Sequence, residues 1–168
     1  MPITLLAIAN FLHLIATITW VGGMIIMRLI VTPALRTLTR QGGLSEAEQR
    51  AVLRAIGQRG ASYTSGAIVV FIITGLAMLS LNPNYTGFLV FGNLWTQIIL
   101  LKHVAVAGLI ISTAYINTTV NRRLASADNE QEYARWQERR RDLADVNFLL
   151  GLVILGLTAI ATSIPAGG

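Results

Sequence analysis

The sequence predicts an all-α integral membrane protein: a bundle of four transmembrane helices with both termini outside and the connections 1–2 and 3–4 in the cytoplasm. Two observations lead to this fold class. Of 168 residues, 54% are hydrophobic and only 12% are charged, about half the charged share of a typical soluble domain. Four apolar segments are long enough to cross a bilayer, which takes about 20 residues. The chain also has no cysteine, which excludes disulfides, thiolate metal sites, iron–sulfur clusters and covalently attached haem.

The predicted spans fill almost the whole chain and define a single membrane domain, residues 1–168. The first span covers about residues 3–31 and is too long for the apolar core of a signal peptide. The remaining three spans cover residues 61–81, 94–120 and 143–164.

The two charged connections are predicted to be helical. Ser45 and Glu48 form a capping-box pattern, which indicates either a short separate helix or an extension of span two. Residues 129–142 are rich in Glu, Gln, Arg and Ala. Span four is therefore expected to begin as a long cytoplasmic helix, after a break near residues 126–128.

The arginines predict the orientation. All twelve lie in or beside the first and third connections, and the second connection, residues 82–93, has no charge. Because basic residues are enriched in cytoplasmic loops, the first and third connections are predicted to be cytoplasmic. The basic excess then reflects topology, and no nucleic-acid partner is expected. Four aromatic residues are expected to mark the outer boundary as an interfacial belt: Tyr85, Phe88, Phe91 and Trp95.

The only two histidines, His13 and His103, both lie inside apolar spans, where ionisable residues are candidates for function. At about 1.5 Å of rise per residue, both lie roughly 13–15 Å below the outer boundary. Two imidazoles at one depth on separate helices suit axial ligation of one haem iron. The alternative is two unrelated histidines, each hydrogen-bonded to a neighbouring helix. Zinc or copper held by these two alone is disfavoured, because two ligands do not close a zinc site.

Small side chains beside the histidines would leave room for a flat macrocycle. Helical spacing places Ala16 and Thr17 beside His13, and Ala107 beside His103. Ordinary close packing of membrane helices is the alternative explanation for these small residues.

Three further residues of the first span carry hypotheses. Trp20 lies seven residues after His13 on the same face, where it packs either against a haem edge or in the helical core. Met24 and Met27 form an MxxM pair whose soft sulfur atoms would suit Cu(I).

Lys102 breaks the charge pattern. It lies about 12 Å below the outer boundary by helical rise, whereas all eight acidic residues lie in or beside the cytoplasmic connections. An unpaired ammonium at the centre of a membrane costs about 2.5–3.5 kcal/mol. Three explanations stay open: pairing with a haem propionate, extension of the side chain to the outer surface, or a role in proton handling.

The segment from His13 to Gly23 reads H-L-I-A-T-I-T-W-V-G-G and is followed by Pro33-Ala34-Leu35. It resembles the copper-resistance D (CopD) membrane domain, with its H-x6-W-x-G-G and trailing P-A-L, and is similar to the related HemJ family. Leu101-Lys102-His103 fits the lysine-bearing third helix of both families. The HemJ resemblance implies haem b, oxidation of protoporphyrinogen IX, His13 as the haem ligand and Lys102 as a functional position. The CopD resemblance implies copper passage across the inner membrane.

The sequence thus favours a haem b-binding membrane redox protein, a b-type cytochrome with His13 and His103 as iron ligands near the outer face. Because both axial positions would be filled, electron transfer or quinone-linked oxidoreduction is favoured over oxygen binding. Three alternatives stay open: a CopD-like copper transport or tolerance protein, a HemJ-like protoporphyrinogen IX oxidase, and a haem-free structural subunit. Expected partners are the lipid bilayer, a quinone or membrane redox partner, and a second copy or a larger complex. The expected location is a prokaryotic inner membrane.

Overall fold

The computed structural model describes residues 3–81 and 92–164. These ranges are helical apart from short connections, and no strand occurs in them. Within them, the helices that are long and apolar enough to span a membrane number four: α1 (Thr4–Arg40), α2 (Glu46–Leu81), α3 (Leu94–Ala125) and α4 (Glu130–Ser163). Each predicted span falls on one of these helices. The all-α class and the four spans are confirmed, and the chain is a multi-pass membrane protein.

The helices form two compact pairs along the chain, α1 with α2 and α3 with α4. In the first pair the helices run antiparallel, since His13 near the start of α1 contacts Thr74 near the end of α2. At the other end, Thr39 Oγ1 lies 3.3 Å from the Gln49 side-chain amide. The buried residues of this pair are Ala16, Trp20, Val21, Ala67, Phe71 and Thr74.

The second pair, α3 with α4, is also antiparallel. Arg123 near the end of α3 lies over the ring of Trp136 near the start of α4, 6.0 Å from its centroid. Further along, Asn147 Nδ2 donates to Thr113 Oγ1 over 3.3 Å. Buried residues in this part of the chain include Ala105, Val106, Leu109, Val120, Asn147, Ile154 and Ala161.

Many large apolar side chains point away from the protein. Phe11, Ile18 and Ile111 are 61–69% exposed, whereas alanine and glycine occupy several buried positions such as Ala16, Ala67 and Gly151. Lipid chains are as apolar as leucine, so membrane helices bury small residues that allow close approach and turn large ones to the lipid.

The connection between α1 and α2 is tight because α1 ends in a Schellman motif. Gly42 has a φ of 75°, a left-handed conformation that glycine adopts without steric cost. Gly42 N donates to Thr39 O over 3.1 Å, and Gly43 N donates to Leu38 O over 3.0 Å. These bonds satisfy carbonyl groups that would otherwise lack partners at the helix end.

The predicted helix starts in the charged connections are confirmed. Ser45 N donates to Glu48 Oε2 over 2.8 Å, and Glu48 N donates to Ser45 Oγ over 3.2 Å. This reciprocal capping box begins α2, which continues unbroken into the membrane and is therefore an extension of span two. The predicted break near residues 126–128 precedes α4, where the Asn129 side chain accepts from Glu132 N over 2.8 Å.

Two of the spanning helices contain wider, π-helical turns. They occur at Ile18–Gly22 and Met27–Val31 in α1 and at Ile116–Val120 in α3. Such turns are rare in proteins, and those that occur are often found at functional sites. The first of them carries Trp20, and the second begins at Met27, the second methionine of the MxxM pair.

The structure differs in part from the outer belt of aromatic residues that the sequence predicts. Trp95 lies in the first turn of α3 and is only 4% exposed. Its ring is enclosed by protein instead of lying open to the lipid headgroups, as a belt residue would. Tyr85, Phe88 and Phe91 lie outside the described residues.

Candidate functional site

His13 is held by a hydrogen bond to the neighbouring helix. Its Nδ1 lies 2.9 Å from Thr74 Oγ1, and the Thr74 hydroxyl donates to Val70 O over 2.6 Å. A hydroxyl has one proton, and this one is used on the Val70 carbonyl. Thr74 Oγ1 therefore accepts from His13 Nδ1–H. In the neutral imidazole the lone pair then lies on Nε2.

The His13 ring is also fixed by packing. It stacks on Phe71 with ring centroids 4.3 Å apart and planes inclined by 26°. On the same helix, a Cβ added at Gly75 would lie 3.3 Å from His13 Cε1. Glycine thus allows α2 to approach the imidazole closely, and Phe71, Thr74 and Gly75 hold the ring in one orientation.

Trp20 packs in the core of the same pair. It is 2% exposed and meets Phe71 edge-on, with centroids 5.7 Å apart and planes at 85°. Edge-to-face contact at this distance is a favourable aromatic geometry. Of the two hypotheses for Trp20, the described contacts support core packing. His13 and Trp20 thus both contact Phe71.

The small residues beside His13 have structural roles in α1. Ala16 is buried, and Thr17 Oγ1 donates to the His13 carbonyl over 2.8 Å. Thr17 therefore satisfies its hydroxyl on its own helix, as threonine commonly does in membrane helices.

His103 has a different partner from His13. Its Nδ1 lies 2.7 Å from Ile99 O, one turn earlier in α3. A carbonyl only accepts, so Nδ1 carries the proton and Nε2 carries the lone pair in the neutral ring. The hypothesis of a hydrogen bond to a neighbouring helix holds for His13, whereas the described bond of His103 lies within its own helix.

Lys102 and Ala107 flank His103 on α3. Lys102 is half-buried, and no carboxylate lies within ion-pair distance of it in the described part of the chain, which contains all eight acidic residues. Ala107 is exposed, so protein does not cover the space next to it. One residue further, a Cβ added at Gly108 would lie 3.7 Å from Leu150 on α4.

A polar cluster in the second pair was not among the predicted site residues. Asn147 is 5% exposed and bonds Thr113 through Nδ2. Among the described residues, Asn147 Oδ1 and Ser112 Oγ are buried without a hydrogen-bond partner. If the Asn147 amide is rotated by 180°, its oxygen instead of its nitrogen bonds Thr113. One of the two amide atoms therefore lacks a partner in either orientation.

Thr74 and Asn147 were not among the predicted site residues, but the sequence contains signals that point to both. Thr74 has the only hydroxyl between residues 66 and 79 of span two. Asn147 is an amide near the start of an apolar span. Polar side chains within membrane helices commonly bond to a neighbouring helix, and that rule points to both positions.

The described residues contain no group of three or more His, Cys, Asp or Glu side chains that could hold a metal ion. Met24 and Met27 are both half-buried in α1.

The fold and these sites define the class of protein as a multi-pass membrane protein with an oriented histidine in each of two helical pairs. Comparison of the chain with family models, with curated proteins and with solved structures finds no match. The similarity to the CopD and HemJ families stays a prediction.

Proposed function

We propose that this chain is a haem b-binding membrane redox protein in which His13 and His103 would hold the haem iron. One observation carries the proposal. Both imidazoles use Nδ1–H on a protein acceptor, so the nitrogen with the lone pair is Nε2 in each. Histidines that ligate metals almost always donate their other ring N–H in this way, which fixes the tautomer and raises the basicity of the ligand.

The residues around His13 also fit a haem ligand, because they fix the orientation of the ring. The His13 ring is clamped by Phe71 and Gly75, so its orientation is fixed before any ligand binds. Haem b, when bound, supplies one-electron transfer. His13 and His103 would hold the iron through Nε2, and Thr74 and the Ile99 carbonyl would hold the two rings in the ligating tautomer.

Lys102 has a role in this proposal as the partner of a propionate. Its ammonium lies next to His103 in sequence, and no described carboxylate pairs with it. A carboxylate of the cofactor would offset the cost of that charge in the membrane.

The proposal extends to partner and location. Bis-histidine ligation leaves no open iron position, which favours electron transfer over oxygen binding. Held by His13 and His103, the haem would supply electron transfer to a lipid-soluble quinone or to another membrane redox protein. We place the chain in a prokaryotic inner membrane, as the family resemblance implies.

An absorption spectrum of the purified protein, produced with adequate haem, tests the proposal. We expect a Soret band and a reduced α band, both lost or converted to a high-spin form in His13→Gly and His103→Gly. Added imidazole restores the low-spin spectrum if each histidine is an axial ligand, whereas it does not repair a general packing defect. A colourless protein contradicts haem binding, and stoichiometric copper in that protein favours the CopD-like alternative.

Thr74→Val tests the positioning of His13. The substitution removes the acceptor for Nδ1–H without changing the ligand, and loss of such a partner lowers metal affinity by roughly 10- to 100-fold. The matched control is Thr158→Val, because Thr158 Oγ1 bonds only its own helix at Ile154 O in the described structure. Equal haem affinity in Thr74→Val and the control contradicts the role given to Thr74.

A further inference from the structure

The polar cluster between α3 and α4, formed by Ser112, Thr113 and Asn147, has two buried oxygen atoms to which no described protein group bonds. Asn147 is 5% exposed, and its Oδ1 lacks a hydrogen-bond partner in the described structure, as does Ser112 Oγ. Thr113 joins the two helices, since its Oγ1 lies 3.3 Å from Asn147 Nδ2. Buried polar atoms are nearly always bonded to protein, water or an ion. Two exceptions in one cluster indicate a site for a ligand.

The hydroxyls of this cluster differ from others in the spanning helices. Thr17, Thr158 and Thr162 each donate to a carbonyl four residues earlier, as threonine commonly does in membrane helices. The described bonds of Ser112 and Thr113 include none of this kind. Their oxygen atoms are therefore not engaged with the backbone of their own helix.

Both hydroxyl-bearing residues lie on the face of α3 that packs against α4. Leu109, which is 0% exposed, lies three residues before Ser112 and four before Thr113, and residues at these spacings share a helix face. On α4, Gly151 is buried one turn after Asn147 and places no side chain beside the amide. The three polar side chains thus lie in one region of the contact between the two helices.

The backbone of α3 offers further oxygen atoms at the same residues. The Ile116 N–H is shared between Ser112 O and Thr113 O, and the π-helical turn Ile116–Val120 begins there. A carbonyl oxygen has two lone pairs, so each of these two can accept a further interaction. In membrane transporters, carbonyl groups at irregular turns of helices are ligands for sodium ions.

The chemistry of the cluster favours a monovalent cation. With Asn147 Nδ2 on Thr113, the atoms without partners are oxygens that carry lone pairs. Calcium sites depend on carboxylate ligands, whereas these three residues carry no charge. Asp145 lies two residues before Asn147, a spacing that does not share a helix face. Because protein encloses the two oxygens, the ion must shed its water, and sodium fits such a site better than the larger potassium ion.

We propose that Ser112, Thr113 and Asn147 form a binding site for a sodium ion within the membrane. By helical rise, Asn147 lies about 6 Å and Thr113 about 10 Å inside the predicted ends of spans four and three. Asn147 Oδ1 and Ser112 Oγ are the principal ligands, and carbonyl oxygens of α3 supplement them. Thr113 also acts as a positioning residue, because its bond to Nδ2 turns Oδ1 toward the ion. The proposal does not depend on haem binding.

Binding of radioactive sodium to the purified full chain in detergent tests the proposal. The unchanged protein should bind the ion, and unlabelled sodium should displace it, whereas potassium or choline at the same concentration should not. Ser112→Ala removes one ligand and should lower the affinity by at least about tenfold, as expected for a bond between a hydroxyl and a charged group. The matched control is Ser80→Ala, because Ser80 Oγ donates to Ala77 O on its own helix. The control should retain the affinity.

Thermal unfolding separates the loss of a ligand from a folding defect. In choline chloride, Ser112→Ala should unfold at the same temperature as the unchanged protein, since the hydroxyl has no described partner. In sodium chloride at the same ionic strength, the Tm of the unchanged protein and of Ser80→Ala should rise, because the ion binds the folded state. The Tm of Ser112→Ala should not rise.

Three results overturn the proposal: equal sodium binding by Ser112→Ala, an equal loss of binding in Ser80→Ala, or the same rise of Tm in potassium chloride. Absence of sodium binding, together with a lower Tm of Ser112→Ala in choline chloride, also overturns it. That outcome assigns the cluster to a buried water molecule, which bonds the same oxygen atoms without any dependence on the cation.

Discussion

At the residue level, the two histidines are alike in tautomer and different in partner. His13 donates to a hydroxyl that lies 61 positions away in the sequence, while His103 donates to a carbonyl four positions earlier. The bond of His103 is available to any histidine in a helix. That of His13 depends on how α1 and α2 pack, so Thr74 is the residue through which packing controls the imidazole.

The polar cluster of α3 and α4 leads to a prediction about single side chains. Thr113→Val removes the partner of the Asn147 amide and leaves it unsatisfied, which should cost about 1–3 kcal/mol of unfolding free energy. Ser112→Ala removes a buried hydroxyl that has no described partner and should be neutral or slightly stabilising. Unfolding in detergent measures both. A destabilisation by Ser112→Ala as large as that by Thr113→Val shows that the Ser112 hydroxyl is bonded, for example to a buried water.

At the level of elements, the helices are longer than the bilayer requires. α2 has 36 residues and α4 has 34, whereas about 20 cross the hydrocarbon. Their charged ends begin at side-chain caps, Ser45 with Glu48 and Asn129, which satisfy backbone N–H groups that a helix start leaves without partners. The caps define where the charged extensions begin.

The cap of α2 should be sensitive to pH. Hydrogen bonds from the Ser45 backbone and then its side chain lower the pKa of Glu48. Because the folded pKa lies below the unfolded one, the carboxylate stabilises the helix start above the unfolded pKa, and this contribution is lost as the pH falls through the folded pKa. We expect hydrogen-exchange protection factors in the first turn of α2 to fall at acidic pH.

Glu48→Gln is the control for this effect. Glutamine retains the capping-box geometry but does not titrate, so protection in the variant should be independent of pH over the same window. A pH dependence equal to that of the unchanged protein would mean that another group controls the helix start.

At the level of the whole molecule, the arginines predict the orientation of the chain in the membrane. Because the native chain has no cysteine, single cysteines report topology without background. Gln41→Cys and Ser126→Cys lie in the connections predicted to be cytoplasmic, and Gly92→Cys lies just before α3 on the predicted outer side. In intact cells, a membrane-impermeant maleimide should label only Gly92→Cys, and permeabilisation should expose the other two. Labelling of Gln41→Cys in intact cells contradicts the predicted orientation.

Much of the fold could be predicted because it depends on local properties of the chain. The length of an apolar run defines a span, and the Ser45 and Glu48 spacing defines a helix start. Arginine counts predict which side of the membrane a connection occupies. The positions of His13 and Lys102 within their spans follow from the same counting. None of these inferences requires knowledge of which helix faces which.

The sequence by itself determined the all-α class and the four spans, and it predicts the depth of each histidine. Only the tertiary structure decided that His13 donates to Thr74, that Phe71 stacks on the imidazole and that Trp20 is buried. The physical reason is that these helices are apolar on every side, so helical periodicity does not separate a lipid-facing side chain from a buried one. In the membrane that choice is made by close packing and by hydrogen bonds between helices, which join residues far apart in the chain.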